Sequence, residues 1–172
     1  MINLSSSAPF NFEPPAGVPY PPTDPASLDY ATPAAASKYE AWRVYGYSKY
    51  AAQLLSLEIA RRYANDGITS YSLNPGNIGS TNLASQMTDM WGLMTPRFLW
   101  LFGIAEKGKT IPQGAATTVH CATAPKEALT NGEFYWFFAP AHPSLRPRSA
   151  GIAQLAQDVW DSSERSVARF FS

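Results

Sequence analysis

The clearest pattern in the chain is a helical stripe of apolar residues between residues 37 and 64. Apolar side chains recur there every three to four positions, as on the buried face of an amphipathic helix, at Ala51, Leu54, Leu55, Leu57 and Ile59. The charged residues of this stretch are expected to face solvent: Glu58, Arg61, Arg62 and Asp66. Asn65-Asp66-Gly67 is typical of a helix end, so the pattern predicts one long helix.

Two further helices are predicted downstream. One begins after Thr110, an N-cap residue whose partner Gln113 completes a capping box, and continues to residues 121–123. The other covers residues 149–171, and its apolar side is formed by Ile152, Leu155, Val159 and Trp160.

Three segments have the composition of strands. Residues 68–73 and 133–138 are rich in β-branched and aromatic residues, and residues 1–4 have the sequence of the end of a buried strand. Strands and helices alternate along the chain, as they do in parallel βαβ units. The expected fold class is therefore α/β, in one domain.

Two stretches show no regular pattern. Residues 8–36 are rich in proline and are predicted to form a loop, which either gates a site or, as we favour, is a tolerated surface insertion. Residues 87–104 are rich in Met, Trp, Phe and Leu. This second stretch is interpreted as a lid over an apolar pocket, as a contact with a membrane surface or as part of the core.

Charge and cysteine content exclude several classes of function. The formal net charge is +0 and the pI is about 6.7, so no basic surface for nucleic acid or anionic membranes is expected. A single cysteine, Cys121, cannot form an internal disulfide, which fits a reducing compartment. No signal peptide and no apolar run of membrane-spanning length is evident, so we expect a cytoplasmic chain without an integral membrane span.

The candidate metal ligands do not cluster in the sequence. His120 and Cys121 lie on the second predicted helix, and His142 lies in a proline-rich loop. Since a metal site needs three or four converging ligands, none is expected, and core or surface roles are favoured for these residues.

Tyr45 and Lys49 carry the most informative chemistry. They lie four residues apart near the start of the first helix, so both side chains project from one face about a turn apart. The ammonium group favours the phenolate, which makes Tyr45 a usable proton donor or acceptor near neutral pH. Reversible carbonyl/alcohol chemistry needs such a group. The structural alternative is an exposed tyrosine and lysine on a helix surface.

Four stretches, in this order, resemble the short-chain dehydrogenase/reductase family: residues 2–7, 45–49, 73–78 and 110–125. The chain looks most like the C-terminal half of the retinol-dehydrogenase-like and WW-domain-oxidoreductase-like branch. The resemblance implies a Rossmann-like, doubly wound parallel sheet and an oxidoreductase activity. It also favours a lid for a lipophilic alcohol or carbonyl at residues 87–104, with docking to a membrane surface as the second interpretation.

The resemblance implies roles for three side chains. Tyr45 would give a proton to the carbonyl oxygen in reduction, or take the hydroxyl proton in oxidation. Lys49 would support Tyr45 and bind the nicotinamide ribose hydroxyls. Ser6 matches the second serine of the family's Asn-x-Ser-Ser strand end and would hydrogen-bond the substrate oxygen, with a shift of one residue along the three serines as the alternative.

The same resemblance implies a cofactor. Pro75, Gly76 and Ile78 match the loop whose backbone contacts the nicotinamide carboxamide, so NAD or NADP is expected to supply or accept the hydride.

The chain departs from the family pattern in its glycines. No strand–glycine-loop–helix unit for a pyrophosphate occurs in the 172 residues, and Gly76, Gly79 and Gly103 lack the fingerprint spacing. Residues 1–172 are therefore predicted to be the C-terminal catalytic part of one Rossmann-like domain, incomplete because its N-terminal nucleotide-binding half is absent, with the insert at 8–36. An exposed edge strand would make such a fragment marginally stable or dependent on a partner.

Two functions from different classes stay open. The first is an NAD(P)-dependent oxidoreductase that acts on a small lipophilic alcohol or carbonyl and is present here as a fragment. The second is a non-catalytic truncated module, which would occupy the dimer interface of a full-length relative, or the product of a pseudogene. By resemblance, a homodimer or heterodimer would form through the helix that carries Tyr45.

Overall fold

The computed structural model describes residues 1–6, 41–76, 78, 109–141, 151–168 and 170–171, with the backbone alone for residues 41–43. The predicted insert at 8–36 and the apolar stretch at 87–104 lie outside the described residues. Within them the chain forms, in order, β1 (Ile2–Leu4), α1 (Ala41–Arg62), β2 (Tyr71–Asn74), α2 (Ile111–Thr123), a 3₁₀ turn (Lys126–Ala128), β3 (Phe134–Trp136), β4 (Ala139–Pro140) and α3 (Ile152–Ala168).

The described strands form one sheet in the order β1-β2-β3-β4. The pairs β1–β2 and β2–β3 are parallel, and Ser72 in β2 lies between Asn3 and Phe134. The short strand β4 returns antiparallel to β3, with Tyr135 opposite Pro140. The predicted α/β class with a mostly parallel sheet is confirmed for this part of the chain. That the sheet belongs to a larger doubly wound domain stays a prediction.

Helices cover both faces of the sheet because side chains alternate along β2. Tyr71 and Leu73 point to the face covered by α2, where they form a buried cluster with Cys121, Leu129 and Tyr135. On the other face, Ser70 lies against α1, since its hydroxyl is 2.9 Å from that of Ser56. Helices on both faces are the arrangement expected of a parallel sheet.

Helices α1 and α3 pack against each other on the second face. Tyr50 and Leu54 of α1 form a buried cluster with Leu155 and Ala156 of α3. Ile152 and Val159 pack against this cluster, as predicted for the apolar side of the last helix. Burial of each leucine contributes about 1.5–3 kcal/mol to folding, so this seam holds α1 firmly in place.

The sequence prediction for Glu58 was wrong. Expected to face solvent, Glu58 is instead fully buried and accepts hydrogen bonds from Arg61 at 2.6 Å and Arg62 at 2.5 Å. Arg62 also reaches Asp161 of α3 at 3.3 Å and lies over the Trp160 ring. Glu58 follows Leu54 by four residues, so helix geometry places it on the apolar face of α1 and its burial follows from its position. The paired arginines make the burial of its charge tolerable.

The hydrogen bonds to Arg61 are the main reason why the pKa of Glu58 lies below its ordinary value. Burial acts in the opposite direction, and the bond to Arg62 adds to the lowering. Glu58 is therefore ionised at neutral pH and anchors the end of α1.

Most predicted element boundaries are close to the observed ones. Thr110 caps α2 and forms the predicted capping box with Gln113. The predicted strand at 133–138 ends earlier, at Trp136, because Phe137 and Phe138 adopt positive φ angles of 52° and 67° in the turn to β4. The predicted burial of β1 is only partial: Leu4 is 54% exposed, at the edge of the described sheet.

Candidate active site

Four segments of the chain meet at one edge of the described sheet. The parallel strands β1, β2 and β3 all end there, and the first turns of α1 lie beside them because the helix runs back against the strands. In open α/β sheets, ligands bind at the carboxyl ends of the strands. We describe this edge as two corners, the β1–α1 corner (Ser5, Ser6, Tyr45, Lys49, Gln53) and the β2–β3 corner (Pro75, Gly76, Ile78, Lys109, Phe137).

At the β1–α1 corner, Tyr45 and Lys49 lie together as their spacing predicts. The Lys49 ammonium is 5.6 Å from the centroid of the Tyr45 ring. It also donates a hydrogen bond to the Leu4 carbonyl oxygen, at 3.4 Å. Both side chains are half-buried, so the helix holds them at the surface of the site and not in the core.

The two described serines of this corner have different surroundings. Ser5 is 3% exposed, and its hydroxyl donates to the Lys49 carbonyl oxygen at 2.7 Å. Ser6 is half-buried, and its carbonyl oxygen accepts a hydrogen bond from Gln53 at 3.3 Å. The Ser5 hydroxyl is therefore committed to the helix backbone, and the choice of Ser6 as the site serine stays a prediction. Ser7 lies outside the described residues.

Gln53 is a site residue that the sequence interpretation missed. Its side chain amide donates to the Ser5 hydroxyl at 2.9 Å as well as to the Ser6 carbonyl oxygen. Gln53 follows Lys49 by four residues and Tyr45 by eight, so all three share one helix face. That spacing was the available signal.

The β2–β3 corner is built around a tight turn after β2. Gly76 has a φ of +81°, and its N–H donates to the Asn74 side chain at 3.1 Å. A Cβ atom at this glycine would lie 2.7 Å from the Lys109 ammonium nitrogen. Glycine is therefore favoured here for its backbone conformation, and any side chain would also displace the flexible end of Lys109.

Lys109 links the elements of this corner. Its ammonium donates to the Pro75 carbonyl oxygen at 3.3 Å and lies 3.9 Å from the centroid of the Phe137 ring. Its backbone pairs with Ile78 in a parallel bridge. Ile78 in turn packs so closely against Gly114 of α2 that a side chain at that glycine would collide with it. No local sequence signal marks Lys109, because its contacts are with distant segments.

Aromatic rings surround the turn between β3 and β4. Trp136 and Phe137 stack with centroids 5.5 Å apart, and Phe138 meets His120 edge-on at 5.8 Å. Phe137 and Phe138 are both about half exposed, at positive φ. Bulky residues rarely adopt that conformation, and each instance costs about 1–2 kcal/mol.

A hydrogen bond joins the two corners. The Ser5 N–H donates to the Leu73 carbonyl oxygen at 2.8 Å, which fixes the end of β1 beside the end of β2. The structure therefore brings the predicted residues Ser6, Tyr45 and Lys49 together at one corner, and Pro75, Gly76 and Ile78 at the adjacent one.

The remaining candidate chemistry lies apart from this edge. Cys121 is buried in the α2 face, and burial raises the pKa of its thiol, so it acts as a core residue. Across the described residues, no group of three His, Cys, Asp or Glu side chains is close enough to hold a metal ion. None of the helices in the described part combines the length and apolar character needed to cross a bilayer.

Comparison with known proteins identifies relatives of this chain. The chain is 33% identical to human retinol dehydrogenase 11 over 127 residues, which are 73% of the chain and 36% of that relative. It is 34% identical to the chicken WW domain-containing oxidoreductase over 134 residues, 76% of the chain and 30% of the relative. Mouse retinol dehydrogenase 12 is 32% identical over 121 residues, 69% of the chain and 34% of the relative.

These matches cover most of the chain but only part of each relative. The chain spans about a third of the length of the curated relatives it matches. No family model matches it. The predicted resemblance is nevertheless confirmed by relatives of two kinds, and the chain belongs to the short-chain dehydrogenase/reductase family.

Proposed function

We propose that this chain carries the catalytic residues of an NAD- or NADP-dependent oxidoreductase that interconverts a lipophilic alcohol and its carbonyl. Oxidoreductase chemistry is supported by the names of the relatives, which include retinol dehydrogenases and WW domain-containing oxidoreductases. The assignment of Tyr45 as acid/base, Lys49 as its support and Ser6 as the polarising hydroxyl is part of the proposal.

The observation that carries the proposal is the position of the Lys49 ammonium. It lies 5.6 Å from the Tyr45 ring centroid and is anchored to the Leu4 carbonyl oxygen, one residue before Ser5 and two before Ser6. In the proposed reaction this ammonium group supports proton transfer by the neighbouring phenol. The anchor uses one of the three ammonium hydrogens, which leaves others for ribose hydroxyls.

Each residue of the β1–α1 corner then has a separate task. In the reducing direction, the Tyr45 hydroxyl donates its proton to the carbonyl oxygen as negative charge develops there. The Ser6 hydroxyl donates a hydrogen bond to the same oxygen and so stabilises that charge. The Tyr45 phenolate is stabilised by Lys49 until it regains a proton from solvent. In oxidation the same proton moves in reverse.

The residues of the β2–β3 corner fit the nicotinamide end of such a cofactor. Gly76 carries no side chain at the end of β2, and the flexible end of Lys109 occupies the space where its Cβ atom would lie. Pro75, Gly76 and Ile78 would hold the nicotinamide through their backbone, and Lys49 would hold its ribose. When bound, the cofactor supplies or accepts the hydride.

The substrate class follows from the relatives and from the apolar stretch at 87–104. A retinoid is the natural first probe, because two of the relatives are retinol dehydrogenases. We propose a lipophilic alcohol or carbonyl of this kind.

The test is turnover of all-trans-retinal with NADH or NADPH by the full chain, compared with Tyr45→Phe. Loss of the phenol should reduce the rate by about 10²–10⁴-fold, as expected for loss of a general acid. Tyr63→Phe is the matched control, since Tyr63 follows α1 and contacts Trp160, away from the site. Its rate should equal that of the wild type. A Tyr45→Phe variant that keeps the wild-type rate would refute the role of Tyr45.

The same assay decides the alternative. A folded wild-type chain with no turnover of retinal or of simple aldehydes with either dinucleotide would favour the non-catalytic interaction module. A complex with a full-length relative, formed through the helix that carries Tyr45, would then be the next measurement.

A further inference from the structure

Gln53 is a buried amide that the proposed chemistry does not use directly. It is 3% exposed and lies on the face of α1 that carries Tyr45 and Lys49, at four-residue intervals. This face points to the end of β1, where Ser5 and Ser6 lie.

Gln53 is the donor in the hydrogen bonds that connect its side chain to the end of β1. Its Nε2 atom donates to the Ser5 Oγ atom at 2.9 Å and to the Ser6 carbonyl oxygen at 3.3 Å. The Ser5 hydroxyl passes its own hydrogen to the Lys49 carbonyl oxygen at 2.7 Å. Lys49 also donates to the Leu4 carbonyl oxygen. Together these contacts connect Leu4, Ser5 and Ser6, at the end of β1, to two consecutive turns of α1.

The acceptor end of the Gln53 side-chain amide costs the folded chain free energy. Gln53 Oε1 is buried and has no hydrogen-bond partner among the described residues. The side chain also lines a cavity of about 230 Å³ between α1, the sheet and the start of α3, whose lining includes Leu57, Phe134 and Ile152. An aliphatic side chain would fill the position without an unpaired acceptor. Compared with an aliphatic side chain, the Gln53 amide therefore contributes its two donated hydrogen bonds.

We propose that Gln53 is a positioning residue that sets the orientation of Ser6 relative to Tyr45. This inference rests on the proposed function for its catalytic meaning, but the tether itself is a property of the fold. Both Nε2 hydrogens are committed and the side chain is closed off from solvent, so Gln53 does not touch the substrate. It acts through the Ser6 backbone, which carries the hydroxyl that would meet the substrate oxygen.

The test compares Gln53→Met with Ser56→Ala in the full chain. Methionine keeps the length and the unbranched shape of glutamine but donates no hydrogen bond. Ser56 is the matched control because it is also a buried polar residue of α1, bonded to Ser70 and not to the end of β1. Two readouts are measured: amide hydrogen exchange at Ser5 and Ser6, and the turnover parameters with retinal and the dinucleotide.

We expect Gln53→Met to speed amide exchange at Ser5 and Ser6 by about ten-fold or more. Without the hydrogen bonds from Gln53, local opening of this segment costs less free energy. We also expect kcat to fall by about ten- to hundred-fold, as for a misplaced catalytic group, while the KM for the dinucleotide is unchanged. Ser56→Ala should leave both the local exchange and kcat as in the wild type.

Wild-type exchange at Ser5 and Ser6 in folded Gln53→Met would overturn the inference, whatever the turnover. So would an equal increase in both variants, because that indicates general loosening of α1. If the wild type folds but has no turnover, the proposed function fails and exchange alone decides whether the tether exists. If Gln53→Met does not fold, Ser5→Ala takes its place, since it removes both hydrogen bonds of the Ser5 hydroxyl and leaves only the bond from Gln53 to the Ser6 carbonyl oxygen. A smaller increase of exchange at Ser5 and Ser6 is then expected, and wild-type exchange at both would overturn the inference.

Discussion

The two corners of the candidate site are held together by different forces. At the β1–α1 corner, buried neutral groups form a directional chain from Gln53 through Ser5 to the Lys49 carbonyl oxygen. At the β2–β3 corner, one ammonium group, that of Lys109, joins a carbonyl oxygen to an aromatic ring beside a glycine at positive φ.

This difference has a functional meaning. Hydrogen bonds between buried groups fix direction, which a hydroxyl that must point at a reacting oxygen requires. A cation over an aromatic face tolerates small changes of angle and keeps a backbone turn open for a flat ligand group. The β1–α1 corner therefore suits the chemical step, and the β2–β3 corner suits the binding of a flat ligand ring. Substitutions at each corner test this distinction.

Substitution of Gly76 by alanine should have the largest effect on stability. The new Cβ atom meets the Lys109 ammonium, and the φ of +81° is unfavourable for any side chain, so we expect a loss of about 2–3 kcal/mol. Gly67→Ala is the matched control: its φ is +74°, but nothing lies within 4 Å of the added atom. Chemical denaturation of both variants separates the steric contribution from that of the backbone, and equal losses would show that Lys109 does not crowd Gly76.

Replacement of Lys109 by methionine should loosen the β2–β3 corner alone. The variant loses the bond to the Pro75 carbonyl oxygen and the contact with the Phe137 ring, which together are worth about 1–2 kcal/mol. Lys126→Met is the control, because Lys126 also bonds a carbonyl oxygen, that of Gly67, but is exposed. Amide exchange should rise in the turn at Gly76 and stay unchanged at Ser5. Faster exchange at both places would mean that the corners are not independent.

Glu58 lies outside both corners, so its substitution measures the contribution of its ion pairs to stability without changing the site. Glu58→Gln removes the charge that Arg61 and Arg62 bind, and we expect a loss of about 1 kcal/mol, since Arg61 is itself largely exposed to solvent. Thermal unfolding measures the loss. The exchange rates at Ser5 and Gly76 should both stay at wild-type values.

The same residue predicts a pH dependence. The pKa of Glu58 is lowered in the folded chain, so its stabilising contribution is complete above the ordinary glutamate pKa of about 4.3 and is lost as the pH falls through the lower folded value. Between neutral pH and about pH 3, wild-type stability should therefore fall more than that of Glu58→Gln. Parallel stability curves would show that the buried carboxylate is not held ionised by its arginines.

The smallest effect is expected at the tip of the β3–β4 turn. Phe138→Gly should stabilise the chain slightly, by about 0.5 kcal/mol, because relief of the positive φ outweighs the lost contact with His120. Thermal unfolding would detect the gain. A clear loss of stability would mean that the ring contributes more to this turn than its backbone conformation costs.

Local signals in the sequence were sufficient for part of the structure. The capping box of Thr110 and Gln113 and the shared face of Tyr45 and Lys49 depend on residues three or four apart, which the sequence displays directly. The match to a known family then supplied the expected roles of Ser6, Pro75, Gly76 and Ile78.

The rest depends on which elements become neighbours. Glu58 was placed in solvent because it is charged, although it follows Leu54 by four residues and so lies on the buried face of α1, where Arg61 and Arg62 pair with it. Lys109 meets Pro75 across 34 positions of sequence, and its contact with Phe137 exists only because β3 lies beside β2. Such contacts have no period or motif to reveal them.

The most direct measurement is calorimetric titration of NADH and NADPH into the full chain, the wild type beside Lys49→Met and Lys126→Met. If this edge of the sheet holds the nicotinamide end of a dinucleotide, the wild type and Lys126→Met should bind one of the two with equal affinity. Lys49→Met should bind it at least about ten-fold more weakly, which corresponds to the loss of about 1.4 kcal/mol from charged hydrogen bonds. No binding by the folded wild type, or equal binding by all three, would contradict the assignment of this edge as a nicotinamide site.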